Sequence, residues 1–113
     1  MAKIRIMYWK EIPVQFQVSD GTKTKSIPLD SRFQEGVDAI AIFDGSAGTD
    51  AYLNAWSWGK EKSITTDIEI ACKNLADEYN QNFPADFVKR IRNLHISGTR
   101  DTSPGAVDHW LNL

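Results

Sequence analysis

The stretch from Arg32 to Trp58 constrains the fold most strongly, because it contains two helix signals separated by a short glycine-rich turn. Apolar residues recur at spacings of three and four from Phe33 onward, the period at which a helix buries one face. Gly45 is placed to end this helix, since glycine adopts the left-handed C-cap conformation without strain. A second short helix is predicted after Thr49. Two helices joined by so short a turn must pack closely together.

Two segments before this stretch alternate apolar and polar residues, the pattern of a half-buried strand. They run from Lys3 to Trp9 and from Val14 to Ser19, and Asp20-Gly21 after the second one indicates a chain reversal. A third strand is predicted from Trp56 to Lys62. The segment from Ile27 to Leu29 contains a proline, so it is expected to be an edge strand or an extended connector.

Two further helices are predicted after these strands, one capped by Thr65 or Thr66 and one running from Pro84 to about His95. We therefore expect a single α+β domain over residues 1–95. Its mainly antiparallel sheet of three to four strands has helices packed on one face, in the order ββααβαα. Residues 96–113 form a C-terminal tail that has the pattern for one short docking helix.

Composition limits the classes of function. The chain has 113 residues and a net charge of −2, which provides no general attraction to nucleic acid or anionic lipid. Its apolar runs are far shorter than a bilayer span, and the first residues open into a strand pattern without a secretory signal, so we expect a cytoplasmic protein. A single cysteine, Cys72, excludes an internal disulfide and a thiolate-rich metal site.

An aromatic cluster is the main candidate for a binding site. Trp9, Trp56 and Trp58 lie on two predicted strands that could be neighbours in one sheet, so their rings could frame a ligand pocket. Arg32 or Tyr52 would supply its polar contacts. The competing interpretation is that these rings belong to the core, because buried aromatic side chains supply much of the stability of a small domain.

Other chemical signals are weak. The loop from Gly45 to Thr49 has the outline of an anion-binding turn, but it lacks a lysine and ordinary helix capping explains it. Cys72 lies on an apolar helix stripe, as an inert buried thiol would. His95 and His109 lack the spacing of metal ligands. We therefore predict no catalytic residue and no metal site.

Three segments together resemble a known family. They are Tyr8 to Pro13, Arg32 to Glu35 with Asp38 and Ala39, and Gly48 to Leu53 with Trp56, and the likeness extends from about Lys3 to Tyr79. These segments resemble the short bacterial virulence factor domain, which also occurs in the HEAT-repeat protein called conserved virulence factor C. The resemblance implies a bacterial protein but carries over no catalytic residue or substrate. It also implies an association of stand-alone members with corrinoid and folate one-carbon methyl-transfer genes.

The leading functional hypothesis is a non-enzymatic accessory domain that binds a protein partner or a second copy of itself. Met7, Trp9 and Gln15 are expected to point outward, so a homodimer would form through the uncovered sheet face or through an edge strand. The alternative is a small-ligand or cofactor-binding protein of one-carbon metabolism, with the aromatic cluster as its pocket. An enzyme acting alone and a nucleic-acid-binding protein are less favoured, and the sequence identifies no bound cofactor.

Overall fold

A computed structural model describes residues 2–65 and 67–112, apart from the side chain of residue 112. The chain folds into an antiparallel sheet and a set of helices, which confirms the predicted α+β class. The strands are β1 (Ala2–Trp9), β2 (Ile12–Ser19), β3 (Thr24–Pro28), β4 (Trp56–Trp58) and β5 (Lys62–Ile64). The helices are α1 (Ser31–Asp44), α2 (Asp50–Asn54), α3 (Ile68–Asn82), α4 (Phe87–Ser97) and a C-terminal 3₁₀ helix (Asp108–Asn112).

Strand β1 is the centre of the sheet. The order is β3-β2-β1-β4. Both β4 and β5 pair with the same edge of β1, β4 at its C-terminal end and β5 at its N-terminal end. All of these pairings are antiparallel. The hairpin between β1 and β2 turns at Lys10 and Glu11, and Lys10 has a φ of 49°, in the left-handed region. This turn brings Lys10 and Glu11, two charged residues, next to the end of α1.

Strand β2 begins earlier than predicted. It starts at Ile12 and includes Pro13, whereas the sequence pattern placed its start at Val14. The register explains the difference, because Gln15 lies opposite Met7 while Pro13 lies opposite Tyr8, so Val14 is an extra residue. A β-bulge of this kind leaves one residue out of the ladder, and the proline is accommodated beside it.

The predicted strand from Trp56 to Lys62 is interrupted. It forms the separate short strands β4 and β5, and a loop joins them. At Gly59 the backbone N–H donates to the Ile6 carbonyl at 2.8 Å, and an added Cβ would lie 2.6 Å from the Tyr8 ring. Because the chain passes so close to β1 here, the loop needs a residue without a side chain.

Helix α1 forms as predicted. Phe33, Val37 and Ile40 are fully buried along its inner face, and Gly45 ends it with a left-handed φ of 84°. Helix α4 begins at Phe87, three residues later than the predicted start at Pro84. In the turn between α3 and α4, the backbone carbonyl groups of Phe83 and Pro84 accept hydrogen bonds from Arg32 of α1. These hydrogen bonds take the place of those in the first turn of the predicted helix.

The C-terminal tail packs against the rest of the domain. Val107 and Trp110 are buried, and the centroids of the Trp110 and Phe83 rings are 6.1 Å apart. The 3₁₀ helix contacts α3. Within the described residues, no helix combines the length and the apolar character that a bilayer crossing requires.

Gly36 allows α1 and α4 to approach each other, and its replacement by alanine provides a test. In most helices this change stabilises by about 1 kcal/mol. Here the added Cβ would lie 2.3 Å from the Phe87 ring, which is buried against Phe33 and Phe83 and cannot easily move. We expect Gly36→Ala to lower the free energy of unfolding by about 1–3 kcal/mol in urea denaturation.

A double variant supplies the control. In a Phe87→Leu background the shorter side chain leaves room for the new methyl group, so the same alanine substitution should cost less. Equal costs in the two backgrounds, or a more stable single variant, would contradict the proposed contact.

Candidate functional site

Three of the five predicted site residues lie together. Tyr52 packs against both Trp9 and Trp56, with ring centroids 5.7 Å and 6.2 Å apart, and the Trp9 indole N–H donates to the Tyr52 carbonyl at 3.0 Å. Trp9 is fully buried, so the expectation that it points outward is wrong. The reason is that α2 places Tyr52 over the pair of tryptophans, which are direct cross-strand neighbours.

The other two predicted site residues lie elsewhere. The Arg32 guanidinium donates to four backbone carbonyl groups at the end of α3 and in the following turn, at 3.0–3.3 Å. It therefore connects α1 to the α3–α4 turn. Trp58 lies against a different arginine, Arg5, whose guanidinium carbon is 3.9 Å from the centroid of the Trp58 ring. The five residues do not converge on one cavity.

Arg5 and Trp58 belong to a half-exposed surface that we call the outer sheet face, formed by Arg5, Met7, Gln15, Gln17 and Trp58. Cross-strand pairing places these residues on one side of the sheet. Both Nε and Nη2 of Arg5 donate to Oε1 of Gln17, at 3.0 Å and 2.8 Å. Among the described residues, Met7 and Trp58 are half-buried but are not part of the packed core.

Buried charges form a second feature, which we call the arginine cluster: Lys10, Glu11, Asp44, Ser46 and Arg100. Arg100 binds the fully buried Glu11 carboxylate with two hydrogen bonds, of 2.7 Å and 2.9 Å. Its Nη1 also donates to Asp44 at 3.0 Å. Lys10 Nζ donates to Asp44 at 2.7 Å and to Ser46 at 3.0 Å. Two acids and two bases thus meet in one place.

The arginine cluster is saturated with hydrogen bonds, which favours a structural role. Burial alone would raise the pKa of Asp44, but hydrogen bonds from Lys10, Ser46 and Arg100 outweigh it and lower the pKa to about 2. The pKa of Arg100 is raised, because its partners Glu11 and Asp44 outweigh the effect of burial. A carboxylate held in this way is a weak base and is poorly suited to proton transfer.

A third feature is a cleft between β1, α3 and the tail, which we call the tyrosine pocket. Hydroxyl groups of Tyr8 and Tyr79 both donate to Asp108 Oδ2, at 2.5 Å and 2.9 Å. Burial, together with the neighbouring Asp108, raises the pKa of each tyrosine, so both phenols stay protonated at neutral pH. Asp108 Oδ1 is buried and has no hydrogen-bond partner among the described residues.

The tyrosine pocket has a volume of about 250 Å³. Its walls combine apolar side chains with the two tyrosines and the loop that connects β4 to β5. The lining residues are Ile4, Arg5, Ile6, Tyr8, Gly59, Lys60, Lys62, Leu75, Tyr79, Pro104, Gly105 and Asp108.

The residues behind the weaker sequence signals have ordinary structural roles. The loop from Gly45 to Thr49 uses Ser46 and Thr49 in local turn hydrogen bonds. Cys72 is buried, and burial raises the pKa of its thiol, which makes it a poor nucleophile. In the described part of the chain, histidine, cysteine and acidic side chains do not form a group of three that could hold a metal ion.

Neither the arginine cluster nor the tyrosine pocket was predicted from the sequence. Arg100 lies 89 residues from Glu11, and Asp108 lies 100 residues from Tyr8. Contacts at such separations leave no periodicity or spacing that a single sequence can reveal. The one local signal was that Glu11, in the hairpin turn, is followed directly by the apolar residues Ile12, Pro13 and Val14.

The pKa of Asp44 predicts a specific dependence of stability on pH. Its value of about 2 lies below the ordinary 3.8, so its ionised form stabilises the folded state above about pH 4. That contribution should fade as the pH falls toward 2. We expect the difference in unfolding free energy between the wild type and Asp44→Asn to be constant from pH 7 to about 5 and to shrink below pH 4. A difference that is unchanged down to pH 2 would contradict this assignment.

A comparison with models of protein families finds a family that matches the chain. A sequence model of the family described as virulence factor matches residues 7–91, which is most of the chain. The chain belongs to the virulence factor family, and this confirms the resemblance of its segments to that domain. No curated protein and no solved structure matches it significantly. The matched region contains the outer sheet face, apart from Arg5, and most of the arginine cluster, whereas Arg100 and Asp108 lie beyond it.

Proposed function

We propose that this virulence factor domain is an accessory protein-interaction domain rather than an enzyme, and that it binds its partner through the outer sheet face. The contact of Arg5 with Trp58 carries this proposal. It presents a large aromatic side chain and a charged one, held together on a surface that the described core leaves open.

The residue types of the outer sheet face support a role in protein binding. Tryptophan, arginine and methionine are enriched in protein interfaces, and the first two are enriched among the residues that dominate binding energy. Arg5 is also held in place by Gln17 and by the indole of Trp58. Because its side chain is already ordered, binding through it costs less conformational entropy.

The charge of the face favours a particular partner. Lys3 is close to Glu61, with 3.4 Å between Lys3 Nζ and the carboxylate, whereas Arg5 has a neutral glutamine as its hydrogen-bond partner. A partner with a carboxylate beside an apolar side chain would complement Arg5 and Trp58. Self-association, as predicted from the sequence, would bring two copies of this positive face together, so an acidic protein of another kind is the better match.

Site-specific crosslinking tests the proposal. A photo-crosslinking phenylalanine derivative at Gln15 lies on the outer sheet face, and the same group at the exposed Gln81 on α3 is the control. In the native cell we expect a discrete crosslinked species from position 15 and not from position 81. Trp58→Ala should abolish it, whereas Leu53→Ala, a change at an exposed apolar residue of α2, should not.

The mass of the crosslinked species identifies the partner. Twice the mass of the chain would mean that a second copy binds here. Any other discrete mass, lost on Arg5→Ala as well, would support an acidic partner. Equal crosslinking from both positions, or none from position 15, would contradict the proposal.

A further inference from the structure

We propose that the tyrosine pocket binds a small organic anion, whose carboxylate or phosphate group is held by Lys60 and Lys62 and whose body lies against Ile6 and Leu75. The proposal concerns a different surface from the outer sheet face. It rests on the shape of the cleft, on the charges at its rim and on the polar groups of its floor.

The shape suits a compact ligand. A volume of about 250 Å³ is slightly below the usual range for small-molecule pockets, which begins near 300 Å³. Ile4 and Ile6 of β1 line one wall and Leu75 of α3 lines another. Such walls favour a flat apolar body, since burying it removes apolar surface from water.

The rim supplies positive charge. Lys62 is the direct antiparallel partner of Ile4, so its side chain projects on the same side of the sheet as that pocket residue. Lys60 precedes it in the loop from β4. Both are exposed, and neither forms an ion pair with a described residue, whereas Lys3, Lys10 and Lys73 each do. Arg5 does not add to this charge, because its guanidinium is bound on the outer sheet face.

The polar groups on the floor of the pocket determine which chemical group the other end of the ligand needs. The hydroxyl hydrogens of Tyr8 and Tyr79 are both directed to Asp108, so this end of the pocket presents oxygen atoms that accept hydrogen bonds. A second anionic group would be repelled there, whereas a hydroxyl or amine group would be accepted. The ligand class is therefore a small molecule with a hydrogen-bond donor at one end and a carboxylate or phosphate at the other.

Titration calorimetry with defined probes tests the proposal. The main probe is 4-hydroxyphenylacetate, which has a donor, a flat body and a carboxylate. Phenylacetate lacks the donor, 4-hydroxyphenylethanol lacks the charge, and inorganic phosphate lacks the body. We expect the main probe to bind most tightly of these four compounds. The affinity of phenyl phosphate, compared with that of phenylacetate, shows whether the site prefers phosphate to carboxylate.

Charge-reversal variants locate the binding. The double variant Lys60→Glu/Lys62→Glu should weaken binding of the main probe at least about tenfold. Lys89→Glu changes an exposed lysine of α4 outside the pocket and should leave the affinity nearly unchanged. Both sets of changes are on the surface, so the fold should be retained, and circular dichroism checks this.

Three outcomes would overturn the proposal. The first is that none of the probes binds at millimolar concentration. The second is that the uncharged 4-hydroxyphenylethanol binds as tightly as the anion. The third is that Lys89→Glu weakens binding as much as the double variant, which would mean that overall charge and not the pocket is responsible.

Discussion

The buried ion pair between Glu11 and Arg100 is the constraint on which the arrangement of this domain depends. Glu11 lies in the hairpin turn and is fully inaccessible to water, so its charge needs a partner inside the protein. Arg100 satisfies both carboxylate oxygens and also reaches Asp44 at the end of α1. Hairpin, helix and tail therefore meet at one charged contact. A tail that carries this arginine is part of the folded domain rather than an appendage.

The sequence predicted those features that local spacing controls. The inner face of α1, its end at Gly45 and the strand β1 follow from periodicity and from the conformational freedom of glycine, both of which can be read within one segment. The division of the third strand at Gly59 could not be predicted, because it results from contact with Tyr8 on another strand. The late start of α4 likewise depends on Arg32, which lies about fifty residues away.

The candidate sites also divide into features that local sequence predicts and features that depend on distant contacts. Sequence alternation identified the aromatic residues, but not that Tyr52 would cover Trp9 while Trp58 stays open beside Arg5. One side of the sheet thus has an aromatic end closed by α2 and a half-exposed middle around Arg5 and Trp58. On the other side the tail completes the tyrosine pocket through Asp108. The two proposed sites lie on opposite sides of the sheet and share Arg5, which also lines the tyrosine pocket. Changes at Trp58 and at Lys60 and Lys62 therefore test them separately.

Arg100 neutralises a buried carboxylate, and the stability of the Arg100→Ala variant tests this most directly. Urea denaturation at pH 7 should show a loss of about 3–5 kcal/mol in unfolding free energy, because the buried Glu11 loses the opposite charge and both hydrogen bonds that Arg100 provides. Arg90→Ala, which removes a more exposed ion pair with Asp86, should cost less than about 1 kcal/mol. Similar small losses for both variants would contradict the account.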